Sequence, residues 1–334
     1  MNLTEAAVIL ERAIALKLPI MLWGPPGVGK SSLVATVAAA LELPLEDVRL
    51  AQLDAADLRG IPVPDREKRI VEWFSPSFLP RFGKGLLFLD EIDKAPALVK
   101  NAALQLVLDR RIGDYVLPEG WRIACAGNRE EDNAFSAPLG AALANRMLHI
   151  EIEPDLDTWA AWARKNDVAP NIVSFLKFRP ELLYKQTGDP AFPSPRSWEA
   201  ASKLLSTAPG AKSSECAALA APAVGGPAAA EFAAWIQLYR SINPEQVLAG
   251  KLPKSGGKDA SLRYAVVLAV ANHIDKHGIV ESQMPGLAGL LEYVTPELRV
   301  LLFKSLPPEQ VAKLAAHPAL RKTASKLVLD YVGA

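Results

Sequence analysis

Gly24, Gly29, Lys30 and Ser31 satisfy the spacing G-x-x-x-x-G-K-[ST] of a phosphate-binding loop. The glycines let the backbone wrap closely around a phosphate, because they reach positive φ at little cost. Amide hydrogens at the start of a following helix would point at the anion. Lys30 would place a point charge on the outer phosphates, and the Ser31 hydroxyl would bind Mg²⁺. A second pair of chemical groups stands roughly sixty residues on, where Gly85-Leu86-Leu87-Phe88-Leu89 ends in Asp90-Glu91. Asp90 can hold Mg²⁺ opposite Ser31, and Glu91 can accept a proton from an attacking water. Asn128, at the end of Arg122–Ala126, which reads as another buried strand, could hydrogen-bond the outermost phosphate or orient that water.

These groups need elements to position them. Ile20–Trp23 reads as a buried strand and 31–43 as a helix, so the loop sits in a strand–turn–helix setting. The uninterrupted apolar run ending at Asp90 suits a central parallel strand covered on both faces. Acidic groups at its carboxyl end lie where open α/β sheets bind ligands. Residues 3–17 have helical spacing with Asn2 or Thr4 as cap, Val48–Leu53 and Leu148–Ile152 read as strands, and 98–108 and 137–146 as helices. The alternation predicts an α/β, doubly wound parallel sheet.

Two stretches interrupt it. Residues 59–76 read as a hairpin with a charged tip, Arg66-Glu67-Lys68-Arg69, and Trp73, Phe74 and Phe78 are expected to pack on the core. Residues 110–121 read as a second hairpin turning at Pro118-Glu119-Gly120. After Pro154 the pattern is helical: 156–165, 171–184, a helix begun by Ser194-Pro195, and helices from 230 onward. Residues 208–229 read equally as a linker or a pair of small-residue helices. The expected division is 1–153, 154–240 and 241–334.

Lys plus Arg equals Asp plus Glu at 37 each, so no global basic field attracts nucleic acid or anionic lipid. Cys125 and Cys216 alone make neither a disulfide framework nor a thiolate metal site. His273 and His277 lack the Glu that a zinc hydrolase of that spacing carries. The start of the chain has no signal-peptide pattern, and no charge-free apolar run reaches about eighteen residues, so a cytoplasmic protein without a membrane span is expected.

In the order of these motifs the chain resembles the AAA+ ATPases, a P-loop NTPase family, and more narrowly the MoxR-like branch that includes CbbQ-type proteins. The residues that carry the resemblance are 24–31, 86–96, Ala126-Gly127-Asn128, 143–146 and Ser194-Pro195-Arg196, with 57–80 looking like that branch's hairpin insert in helix 2. The resemblance spans roughly 1–240. It implies an α/β core, a helical lid and a helical C-terminal extension. It implies ATP and Mg²⁺ as cofactors. Gly24, Pro25, Pro26, Gly27, Val28, Gly29, Lys30, Ser31 and Ser32 would hold the nucleotide, and Ser31 and Asp90 the metal. Glu91 and Asn128 would be the Walker B glutamate and sensor 1, Arg146 the arginine finger and Arg196 sensor 2. Met147 departs from the Phe often found after the finger. A homo-oligomeric ring, a hexamer, is implied, with a protein client carrying a von Willebrand factor A domain. The resulting expectation is an ATP-hydrolysing remodeller of a partner protein. A nucleic-acid motor or loader on the same core is the alternative, against which the charge balance weighs.

Overall fold

A computed structural model describes residues 1–129, 145–253, 259–318 and 320. The chain divides into two compact units that meet in sequence after Trp159.

The first unit is built on a five-stranded sheet. Its strands are β1 (Ile20–Trp23), β2 (Leu45–Arg49), β5 (Lys84–Asp90), β8 (Gly120–Gly127) and β9 (Leu148–Glu151), in the order β2-β5-β8-β1-β9. All four pairings are parallel. Successive side chains on a strand point to opposite faces, and the core divides accordingly. Leu87 and Leu89 of β5, with Met21 and Cys125, join helix α4 (Ala97–Asp109) in one apolar cluster. Leu86 and Phe88, with Ile20, Leu22, Ala124 and Ala126, join α1 (Leu3–Ala15) and α2 (Lys30–Ala40) in another. The doubly wound arrangement expected from the apolar runs is therefore present, with both faces covered. Asn2 caps α1 by accepting from the Glu5 amide at 2.9 Å.

Several local expectations shift. The second strand is β2, ahead of the expected 48–53, and 50–52 is a 3₁₀ turn whose Leu50 is buried. Residues 61–65 (β3) and 70–74 (β4) pair as the expected hairpin, closed by a one-to-one antiparallel register. It does not pack as expected: Trp73 is 41% exposed and Phe74 59% exposed, while Phe78 alone of the three packs on the core. A two-stranded hairpin has two faces, and neither of these is covered by a third layer. The second hairpin, β6 (Arg111–Ile112) with β7 (Tyr115–Val116), turns at Gly113-Asp114 rather than at Pro118–Gly120. Gly113 supplies the positive φ of that turn, and Pro118 accepts from the Trp121 amide to lead into β8. Of the expected helix 137–146, residues 137–144 lie outside the described residues, and Asn145 and Arg146 are in a turn.

In the second unit the expected helix 171–184 ends at Phe178. Pro180 starts a separate 3₁₀ turn, because proline cannot continue a helical ladder. Its helices include α5 (Leu156–Lys165, which crosses the boundary), α6 (Pro170–Phe178), α7 (Pro195–Ser206), α8 (Ser213–Val224) and α9 (Gly226–Ser241). The stretch 208–229 is thus the small-residue helix pair and not a linker. Ser194 caps α7 by accepting from the Ser197 amide, with Pro195 in the first turn. Phe175, Trp198 and Phe232 meet edge-on at 5.5–6.0 Å between ring centres. A second cluster is formed by α10 (Pro244–Leu248), α11 (Ala260–His277), α12 (Met284–Tyr293), α13 (Pro296–Lys304) and α14 (Pro308–Ala316).

Gly286 brings α12 against α10 so closely that a Cβ there would stand 1.8 Å from the Leu248 carbonyl oxygen. Gly286→Ala should therefore cost about 1–3 kcal/mol as an overpacking substitution. Phe74→Ser should change stability by no more than about 0.5 kcal/mol, because its ring is already in water. Urea or thermal unfolding of both variants measures the contrast.

Candidate functional site

The carboxyl ends of β1, β8 and β5 lie side by side, in that order, so the turn after β8 falls between the glycine loop and Asp90. Trp23 is in register with Gly127, and Leu89 with Cys125. This adjacency brings three separated sequence motifs together.

Lys30 is the first residue of α2 and is only 8% exposed. A buried ammonium needs acceptors, and its Nζ donates to the carbonyl oxygens of Gly24 (2.6 Å) and Pro25 (3.1 Å) and to Asn128 Oδ1 (3.0 Å). The loop can close on it because Gly24, Gly27 and Gly29 all take positive φ. Gly24 is doubly constrained: a Cβ would lie 2.6 Å from the Ile152 carbonyl oxygen. Beside Lys30, Ser31 Oγ donates to Asp90 Oδ2 at 2.8 Å, and Asp90 Oδ1 accepts from the Glu91 amide at 2.8 Å.

Glu91 has φ +56°, a left-handed backbone that non-glycine residues adopt at some cost and that clusters at functional positions. Its carboxylate, about a third exposed, stands 3.7 Å from Lys94 Nζ. The strand below it is pinned by the Ile92 amide, which donates to the Ala126 carbonyl oxygen. Asp47, on β2, has its carboxyl raised above the ordinary range, chiefly by burial and next by repulsion from Asp90.

Lys30 thus bonds Gly24 and Asn128, and Ser31, next in the chain, bonds Asp90, with Glu91 directly following. Arg146 is exposed in the turn before β9. Arg196 is exposed in the first turn of α7, in the other unit. A cation there faces the positive end of a helix dipole, so helix stability is no reason for it. Sequence reasoning missed Lys94 and Asp93. Asp93 is 1% exposed, and neither carboxylate oxygen has a hydrogen-bond partner among the described residues. Its backbone oxygen accepts from Lys100 Nζ at 2.6 Å. Both residues sit inside the run after Glu91, but nothing in their spacing says that one is buried and the other paired.

The donor set suits a phosphorylated ligand with a hard divalent cation: a buried ammonium, a hydroxyl, a carboxylate and a glycine-lined loop. Residues 20–112 match the model of the ATPase family associated with various cellular activities (AAA). The chain carries an AAA-family ATPase domain. Among curated proteins, replication factor C subunit 5 of Arabidopsis thaliana is 35% identical over 113 residues, which is 34% of this chain and 29% of that protein. Midasin of Giardia intestinalis is 28% identical over 153 residues, covering 43% of this chain and 3% of midasin. The chain therefore spans under a third of the length of either relative. Among solved structures, NtrX from Brucella abortus in complex with ADP is 14% identical, with 97% of this chain and 67% of that one covered at a TM-score of 0.42. The AAA match takes in the glycine loop and Asp90-Glu91, and it ends ahead of Asn128.

Within the first unit Cys125 lies on β8 two residues before Gly127, fully buried, and burial pushes its thiol far above the ordinary range. Native protein should therefore show no alkylation at Cys125 by iodoacetamide near about pH 8, where an ordinary thiol reacts. Peptide mass spectrometry of native and urea-unfolded samples reads this directly, and rapid native labelling would contradict the burial.

Proposed function

We propose that this chain is an ATP-hydrolysing AAA+ enzyme of the MoxR-like type that remodels or activates a partner protein. The supporting observation is the junction at which Lys30 Nζ meets both Gly24 O and Asn128 Oδ1, beside Ser31 on Asp90. The loop from Gly24 to Ser32 cradles the phosphates, and Lys30 exchanges its internal acceptors for phosphate oxygens. Ser31 and Asp90 hold Mg²⁺, which supplies charge neutralisation when bound. Glu91 takes the proton of the attacking water, and Asn128, already hydrogen-bonded to Lys30, orients that water or the terminal phosphate.

Arg146, exposed in the turn before β9, serves the nucleotide of a neighbouring subunit, and Arg196 contacts phosphate from the lid. Action in trans requires a homo-oligomeric ring, and a hexamer is the form proposed. The core is 1–153, the lid 154–240, and 241–334 a further helical region. The two helical regions pack as one compact unit, with Phe178 of the first against Tyr264 of the second, so the boundary proposed at 240 is one of sequence and role. The client is a protein, with a von Willebrand factor A domain as the proposed class. Among the described residues no helix is long and apolar enough to cross a membrane.

The likeness to replication factor C subunit 5 favours a second reading, a nucleic-acid loader. DNA binding that weakens steeply with salt, together with DNA-stimulated ATPase, would select it. Balanced charge favours the protein client.

Lys30→Ala should abolish ATP binding in a filter or fluorescent-nucleotide assay, and near-normal affinity would remove the phosphate-loop assignment. Glu91→Gln should bind ATP and turn over at least about a hundredfold more slowly, the scale of a lost general base. Rings mixed from Arg146→Ala and Lys30→Ala subunits should recover activity that neither variant has alone. Absence of recovery in demonstrably mixed rings would place the finger elsewhere.

A further inference from the structure

His273 and His277 lie in the helical unit and take no part in the phosphate chemistry. They stand four residues apart toward the carboxyl end of α11, so they share one face of the helix. Their ring centres are 4.9 Å apart, with 43° between the planes. His273 is half-buried and His277 is exposed. Neither imidazole makes a hydrogen bond or an ion pair among the described residues, so holding the fold does not use up their ring nitrogens.

The backbone beneath them is fixed. Val266, Val267, Val270, Ala271 and Ile274 bury the other side of α11 in the apolar cluster of this region. The Gly278 amide donates to the Ile274 carbonyl oxygen at 2.8 Å, and Gly278 closes the helix at φ +71°. Two neutral imidazoles on a rigid helical turn form a chelating pair of borderline donors. A metal–nitrogen bond of about 2.0–2.1 Å puts each ring centre about 3.2 Å from the ion, hence ring centres about 4.5–5.2 Å apart for coordination angles from square-planar to tetrahedral. The observed 4.9 Å falls within that span. The negative end of the helix dipole also favours a cation here. Lys276 in the same turn already meets that preference, so the dipole alone gives no reason for a histidine pair, and Asp275 stands beside Lys276 with the opposite sign.

We propose that His273 and His277 together bind one divalent transition-metal ion, Cu²⁺ most tightly and then Ni²⁺ or Zn²⁺. Among the described residues no third His, Cys, Asp or Glu completes a cluster with them, which leaves the ion's other positions to water. Ile274 follows the first histidine where a hydrolytic zinc site carries its glutamate base, so the pair is a binding site and not a hydrolytic centre. A bound ion ties consecutive turns and so clamps the carboxyl end of α11. The inference stands independently of ATP hydrolysis, since the phosphate loop lies in the other unit.

Isothermal titration of the full chain with CuCl₂, in excess Mg²⁺ and without a histidine tag, tests it. Pulsed electron paramagnetic resonance with one equivalent of Cu²⁺ counts the coordinated imidazoles. Saturable binding of one ion per chain through two imidazoles is the expected result. His277→Ala and His273→Ala should each weaken binding by about tenfold or more and leave one imidazole on the metal, because the second arm of a chelate acts at high effective concentration. Thermal melts establish that each variant is folded, and the exposed His277→Ala keeps the test decisive if His273→Ala is not. No saturable binding would overturn the proposal. So would a native spectrum with fewer than two imidazoles, or an affinity that neither substitution changes.

Discussion

A buried ammonium holds the phosphate loop and the sheet in one arrangement. Lys30 is nearly inaccessible, and an uncompensated charge there would cost several kcal/mol. The fold meets that demand from three places: two carbonyls of its own loop and the side-chain oxygen of Asn128, which is 98 residues away in sequence. The loop must curl back on itself to offer Gly24 O, which is why positive φ recurs at Gly24, Gly27 and Gly29. The sheet must place β8 next to β1, which is why the strand order matters more than the strand sequence.

The remaining groups follow from the same edge. β5 is next beyond β8, so Asp90 arrives within hydrogen-bond reach of Ser31 at the start of α2. The two carboxylates in succession then divide their tasks by backbone conformation. Asp90 ends the strand and turns inward, while Glu91 at positive φ points out to Lys94. The alternation along β5 serves both half-cores at once, with Leu87 and Leu89 to one side and Leu86 and Phe88 to the other.

The helical unit shows how small residues can build structure. The Ala- and Gly-rich stretch that could equally have been a linker is a packed helix pair, because small side chains allow close backbone approach without needing a wide apolar stripe. Gly286 against Leu248 O is a second instance. Elsewhere in the unit aromatic side chains fill the core, where Trp198 donates to the Leu182 carbonyl oxygen at 2.7 Å while the buried indole nitrogen of Trp235 has no hydrogen-bond partner among the described residues.

The sequence by itself determined the phosphate loop, the acidic strand end, the parallel α/β core and the helical remainder. Each depends on spacing within one element or on neighbours a few residues apart, and such short-range rules are written directly in residue order. It also specified both hairpins, though it misplaced the turn of the second, since Gly113-Asp114 and Pro118–Gly120 are both turn chemistry and only pairing register chooses between them. Tertiary structure alone decided that Asn128 touches Lys30, that Asp93 is buried beside a paired Lys94, and that Trp73 and Phe74 face water. These are consequences of which strand lies beside which and of what covers a hairpin. An aromatic side chain reads the same in sequence whether a third layer packs over it or none does.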